Sequence, residues 1–153
     1  MPAPTTTIVN TKRLLVAFIA AFIFALLFEW LLHGVILKDS EAALPQGLAR
    51  PPADFQNHFL WVLLGEGIMV FIFTVIYARG FAAGGVGAGI GLGNMFGIIY
   101  AGANLISYGA QPFPGNLIAW YSIAGLIEYA GVGAIVGAIY RSSPATSSRA
   151  SSL

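Results

Sequence analysis

Four long apolar stretches dominate the hydrophobic pattern of the chain, over residues 14–37, 59–78, 83–107 and 117–140. Each is about 20 residues or longer, and a helix of that length covers the roughly 30 Å hydrocarbon core of a bilayer. The alternation of apolar and polar residues that is typical of membrane β-strands is absent from the sequence. The pattern therefore predicts an all-α fold, a bundle of four transmembrane helices.

The polar segments around these stretches set the predicted domain organisation. Residues 13–141 form one transmembrane domain, in which residues 38–58 are a long outer loop. The first apolar stretch is longer than the apolar region of a signal peptide, and no small-residue cleavage site follows it, so we expect a retained helix. Residues 1–12 and the serine-rich residues 142–153 are polar, and we expect them to be disordered tails.

Basic residues are distributed unevenly over the two ends of the predicted helices. Because Lys and Arg are enriched in cytoplasmic loops, this bias orients a membrane protein. The end with the termini carries five of the seven basic residues and the other end carries two, so we expect both termini in the cytoplasm. The five are Lys12, Arg13, Arg79, Arg141 and Arg149, and the two are Lys38 and Arg50.

Composition narrows the class of protein further. The chain is 58% hydrophobic and 8% charged, with a mean hydropathy of +0.81, whereas soluble domains carry about 25% charged residues. The net charge of +1 is far from the basic surface that nucleic-acid binding requires. These values exclude an ordinary soluble protein and a nucleic-acid binder. The absence of cysteine excludes disulfides and thiolate metal sites.

Three of the six acidic residues lie inside the predicted helices, namely Glu29, Glu66 and Glu128. A charged side chain at the centre of a membrane helix costs about 2.5 to 3.5 kcal/mol. Such residues therefore normally face the interior of a bundle or a water-filled cavity. His33 lies one helical turn after Glu29 and on the same helix face.

The depth of each polar residue, counted along its helix at about 1.5 Å per residue, predicts two groups. One is a polar cluster in the outer half of the membrane, and the other is a pair near the midplane. The predicted cluster contains Glu29, His33, Glu66 and, as a further member, Asn104, and the predicted pair is Asn94 with Glu128.

Small residues recur every four positions in the third and fourth stretches. Such faces let helix backbones approach closely, and close packing drives helix association in lipid. We expect them to pack the helices of one bundle, and the alternatives are a contact between copies of the chain or a glycine-lined pore. The predicted packing residues are Gly85, Gly89, Gly93, Gly97, Gly133 and Gly137, with Gly87 and Gly91 in an adjacent stripe.

The polar residues admit several roles. In one role they form hydrogen bonds with one another and fix the register of the helices. In another they form a path for protons or ions through the membrane. A metal site would use Glu29, His33, His58 and Glu66, and haem would use the two histidines. The spacing of four between Glu29 and His33 differs from the spacing of three in di-iron bundles. No hydrolase or phosphate-binding motif occurs, so we predict neither a cofactor nor an enzyme.

Three sequence features resemble a group of small bacterial four-helix membrane proteins. They are a histidine near the end of the first helix (FEWLLHGVIL), an acidic residue in the second (LLGEG) and a glycine-rich third helix. The resemblance covers most of residues 13–141 and implies a similar bundle in the bacterial cytoplasmic (inner) membrane, with no established activity. Small multidrug-resistance transporters also have four helices and a glutamate in the first, but this chain is longer and lacks their pattern around that glutamate.

From these features we predict a non-enzymatic accessory or structural subunit. It would pack through its small-residue faces, in membrane lipid, against copies of itself or a larger membrane complex. The small size and the scarcity of functional motifs favour this interpretation. The alternative is a small oligomeric proton-coupled transporter or channel that uses Glu29, His33 and Glu66.

Overall fold

The computed structural model describes residues 9–140, without the side chain of Pro52. The predicted disordered tails, residues 1–12 and 142–153, therefore lie outside the described residues except for residues 9–12. Within those four, Thr11 and Lys12 already belong to the first helix, and the Asn10 side chain caps it by accepting a hydrogen bond from the Arg13 backbone N–H at 3.0 Å.

The described residues form five α-helices and two short turns of other helical types. Four of the α-helices are long and apolar enough to cross a membrane, which confirms the prediction of an all-helical fold with four such helices. In chain order the elements are α1 (Thr11–Leu31), a π-helical turn (Leu32–Ile36), α2 (Lys38–Ala42), α3 (Pro52–Gly80), a 3₁₀ turn (Ala82–Gly84), α4 (Gly85–Ala110) and α5 (Gly115–Ile139).

Helix α3 begins at Pro52, seven residues before the apolar stretch that marks it in the sequence. Proline suits the first turn of a helix because the backbone there needs no N–H donor. Asp54 also lies in this first turn, where a negative charge interacts favourably with the helix dipole. The helix therefore extends through the polar end of the predicted outer loop.

Helix α5 is the centre of the bundle. In its most apolar window 44% of the residues are buried, against 17% to 22% in the other three long helices. Helix α1 packs on α5 and α3 through Ala17, Ala21 and Ala25, which are all fully buried. Beside them, the core contains Val70, Phe73 and Tyr77 from α3 and Val132 and Val136 from α5.

Helices α4 and α5 are in direct backbone contact. A Cβ atom added to Gly89 or Gly93 would collide with the backbone carbonyl group of Gly133 or Tyr129, respectively. At Gly97 it would lie 2.8 Å from the Cα atom of Leu126. These three glycines, spaced four residues apart, thus form a smooth face of α4 against which α5 packs without intervening side chains.

The two ends of the described chain meet at one end of the bundle, where the Asn10 backbone N–H donates to the Tyr140 hydroxyl at 3.0 Å. We call this the terminal end, and it also contains the short connection between α3 and α4. We call the opposite end the loop end. It contains the connection 37–51, which includes α2, and the connection 111–114. A small apolar cluster there includes Leu32, Leu37 and Leu117.

Candidate functional site

His33 lies at the loop end with a carboxylate on each side of its ring. Its Nε2 atom is 3.0 Å from Glu29 Oε2, one helical turn earlier. Its Nδ1 atom is hydrogen-bonded to Glu41 Oε1 in α2. The π-helical turn brings Glu41 into this position, because the wider turn, closed by a 2.8 Å bond from Leu37 N–H to the Leu32 carbonyl oxygen, folds α2 back over His33.

Tyr121 of α5 completes this part of the site. Its hydroxyl donates a 2.8 Å hydrogen bond to Glu41 Oε1, and its ring centroid is 5.4 Å from that of His33. His33 and Tyr121, which belong to different helical elements, therefore both hold the Glu41 carboxylate. Glu41 belongs to this site although it lies in the polar segment after the first apolar stretch. Glu29, His33 and Glu41 remain partly accessible, with side-chain exposures of 30%, 37% and 23%.

Two further glutamates continue the cluster into the bundle. Glu128 of α5 is only 5% exposed, interacts with the Glu29 carboxyl group and lies within electrostatic range of Glu66. One carboxyl oxygen of Glu128 and one of Glu66 are buried without a hydrogen-bond partner among the described residues, as is the amide nitrogen of Asn104. Buried polar atoms normally have partners, so this region suits protons or water molecules between the side chains.

Tyrosines line the α4–α5 side of the cluster. The Tyr100 hydroxyl interacts with Asn104 and lies within electrostatic range of Glu29, Glu66 and Glu128. The Tyr100 ring occupies the space above Gly125, where an added Cβ would be 2.8 Å from a ring carbon. The ring centroids of Tyr100 and Tyr129 are 6.2 Å apart. Glycine at position 125 therefore makes room for an aromatic wall beside the carboxyl groups.

The core of the bundle towards the terminal end is largely apolar. Val70, Phe73, Val132 and Val136 are fully buried there. The buried Thr74 hydroxyl donates to the Val70 carbonyl oxygen within its own helix, at 2.7 Å, so it offers no path onwards. The cluster of carboxyl groups therefore extends from the loop end only to the middle of the bundle.

The structure brings together most, but not all, of the predicted site residues. Glu29, His33, Glu66, Asn104 and Glu128 belong to one continuous cluster rather than to two groups. Asn94 is separate, because it is exposed on α4 while Glu128 is buried. Gly93 faces α5, and the next residue of a helix points about 100° away.

His58 also lies apart from the cluster. Its Nδ1–H donates to the Asp54 carbonyl oxygen at 2.9 Å, and Nδ1 is 3.3 Å from the Asp54 carboxylate. Eight residues separate it from Glu66, about 12 Å along the helix. Between residues 9 and 140, no group of three histidine or acidic side chains has the arrangement of a metal site.

The arrangement of apolar helices and buried carboxyl groups defines the class of protein. Four helices of membrane-spanning length, with apolar side chains on their outer surfaces, indicate an integral membrane protein. No protein-family model, curated protein or solved structure matches the chain. The function must therefore be argued from the polar cluster itself.

Proposed function

We propose that this protein transfers protons through the membrane, as a small proton-coupled transporter or channel. One observation carries the proposal: the two ring nitrogens of His33 contact two different carboxyl groups, Glu41 at the loop end and Glu29 towards the bundle centre. A purely structural pair needs one such contact. Two contacts on opposite sides of an imidazole form a connected route for a proton.

The chemistry of the imidazole ring defines the relay. A proton from Glu41 binds at Nδ1, and the proton on Nε2 then leaves to Glu29. The ring can do this without turning, because its two nitrogens accept and donate independently. Before the next proton follows, the ring turns about its Cβ–Cγ bond, so that the protonated nitrogen again faces Glu29 and the unprotonated nitrogen faces Glu41. Tyr121 holds Glu41 at the entrance through its 2.8 Å hydrogen bond.

The buried glutamates receive the proton from Glu29. Glu29, Glu66 and Glu128 lie within electrostatic range of one another, so a proton that reaches Glu29 can pass to the other two carboxyl groups. The carboxyl oxygens of Glu128 and Glu66 that lack protein partners supply the acceptor atoms. Release towards the terminal end requires the helices to separate around Phe73 and Val132, which act as the gate in this proposal.

Proton flux into liposomes that contain the purified protein tests the proposal. We expect Glu128→Gln to reduce flux under a pH gradient to the level of empty liposomes, because the amide has the shape of the carboxyl group but carries no exchangeable acid proton. Asp39→Asn is the matched control, since Asp39 is exposed in α2 beside the cluster, and its flux should equal that of the unchanged protein. Unchanged protein that leaks no faster than empty liposomes contradicts the proposal.

We also propose a bacterial cytoplasmic membrane location, with the terminal end in the cytoplasm. The distribution of basic residues supports this orientation, with Lys12, Arg13 and Arg79 near the terminal end and Lys38 and Arg50 near the loop end. In this orientation protons enter the path from outside the cell.

Labelling of single cysteines measures this orientation, because the chain has no natural cysteine. In intact cells, a membrane-impermeant maleimide should label Gln46→Cys at the loop end. It should label Thr146→Cys only after the cells are opened. The reverse pattern would place the loop end in the cytoplasm, and labelling of both sites in intact cells would contradict a four-span topology.

An accessory subunit of a larger membrane complex is the second candidate. The low burial of α1 and α3 favours it, since only 17% of the residues in the apolar window of each are buried, and large side chains such as Trp30 and Trp61 are more than 60% exposed. Native mass spectrometry of gently extracted protein separates the candidates. Stoichiometric larger subunits support the accessory role, and their absence favours independent transport.

A further inference from the structure

Asn94 is a polar side chain on the lipid-facing surface of α4. It lies nine residues after the first residue of a 26-residue helix, about 14 Å along a helix of about 39 Å. Its side chain is exposed and makes no hydrogen bond to the described part of the chain. The hydrocarbon core offers no water to a carboxamide, so a group left unpaired at this depth is unfavourable.

The helix surface around Asn94 has an unusual shape. Gly87 and Gly91 precede it and Gly102 follows it on the same face, at helical spacing. All three are exposed, and an added Cβ at any of them would meet nothing within 4 Å. On the terminal side of the carboxamide, the surface is therefore shallow at Gly87 and Gly91, with the partly exposed Ile90 one helical turn before Asn94 beside them.

On the opposite face of α4, the glycines are covered by α5. Gly89, Gly93 and Gly97 place the backbone of α4 directly against that of α5. The exposed face repeats the same spacing of four at Gly87 and Gly91, but no other helix of residues 9–140 covers these two glycines. A second helix could approach closely at Gly87 and Gly91.

We infer that two copies of this chain associate in the membrane through the exposed faces of α4, with their Asn94 side chains hydrogen-bonded to each other. A carboxamide has both donors and an acceptor, so it is complementary to a second carboxamide across a two-fold axis, where each residue meets its own counterpart. An apolar partner would leave the group unpaired. This inference is independent of proton transfer.

Disulfide cross-linking in native membranes tests the interface. Gly91→Cys and Ile98→Cys lie on the proposed face, while Ile99→Cys and Ala103→Cys are exposed positions of the same helix turned about 140° or more away from Asn94. We expect covalent dimers to form at least about fivefold faster at positions 91 and 98 under mild oxidation, since a disulfide requires Cα atoms within about 7 Å. Equal rates at all four positions would overturn the inference.

The contribution of Asn94 is measured in the Gly91→Cys chain. We expect Asn94→Leu to abolish most of the cross-link and Asn94→Gln, which keeps the carboxamide, to retain it. The Asn94 side chain touches no polar partner among residues 9–140, so helix content by circular dichroism should stay unchanged in both variants. Undiminished cross-linking with leucine, or a cross-link to a different protein instead of a second copy, would contradict the inference.

Discussion

Replacing His33 by glutamine is expected to reduce proton flux by on the order of 100-fold, the smaller end of the contribution that a positioned proton-transfer group makes. Glutamine can still form hydrogen bonds with Glu29 and Glu41, but it cannot accept a proton on one atom and release another. The link between the loop end and the buried glutamates is therefore cut while the local contacts are largely kept. Flux into liposomes under a pH gradient measures the effect.

The chain provides a matched control for this substitution. His58, the second of its two histidines, also lies in the loop-end half and also pairs with an acidic residue, Asp54. It is outside the cluster, so His58→Gln should leave flux unchanged. An equal loss in both variants would indicate a general effect of histidine removal, and full flux in His33→Gln would show that protons bypass the relay.

A single methyl group at Gly93 is expected to destabilise the bundle strongly. The Cβ atom of Gly93→Ala would collide with the Tyr129 carbonyl oxygen and lie 3.0 Å from the Ala130 Cα atom. Backbone atoms cannot rotate away as a side chain can, so α4 and α5 must separate. We expect the free energy of unfolding to fall by about 2 to 3 kcal/mol, the upper part of the usual range for overpacking.

Unfolding in a mild detergent, followed by circular dichroism, measures this difference. Gly65→Ala is the control, because Gly65 lies inside α3 and an added Cβ there meets nothing within 4 Å. Alanine favours a helix over glycine by about 1 kcal/mol, so this control should unfold at the same or a higher denaturant concentration. If the two variants are equally stable, α4 and α5 are not in backbone contact in solution.

The four long helices were predictable because membrane-spanning helices depend on the sum of many apolar side chains over a fixed thickness. The ends of these helices were less predictable from the sequence. The hydrophobic pattern places residues 52–58 in the outer loop, whereas Pro52 and Asp54 by themselves predict the first turn of a helix, and that turn is the start of α3. A local helix-start pattern therefore extends the helix beyond the apolar stretch on which the prediction depended.

The cluster was predictable only where its members share one helix. Glu29 and His33 are four residues apart, and helix geometry alone brings them together. Glu41 was missed because it belongs to a polar segment that returns to His33 only through the π-helical turn. Tyr121 is a candidate for the outer polar set from its position in the sequence, but its pairing with Glu41, 80 residues away, could not be predicted from spacing. Glu41 follows the motif around His33 by a few residues, which is the one signal that could have pointed to it.

Asn94 shows the limit of depth as a guide. Counting residues along the helices placed it level with Glu128, but depth says nothing about the direction in which a side chain points. The face of α4 towards α5 is set by the contacts of Gly89 and Gly93. That rotation became visible only once both helices were placed together.

The π-helical turn at Leu32–Ile36 has one residue more in its hydrogen-bonded ring than an ordinary helical turn. A helix gains such a turn by the insertion of a single amino acid. Deletion of one residue there would restore regular winding and turn everything that follows by about 100°. The carboxylate of Glu41 would then leave the histidine, while every apolar span remained intact. The distinction between a connected and an interrupted polar path thus depends on the length of this segment as much as on its residue types, and a comparison of related chains should count residues between Glu29 and Glu41 before it compares identities.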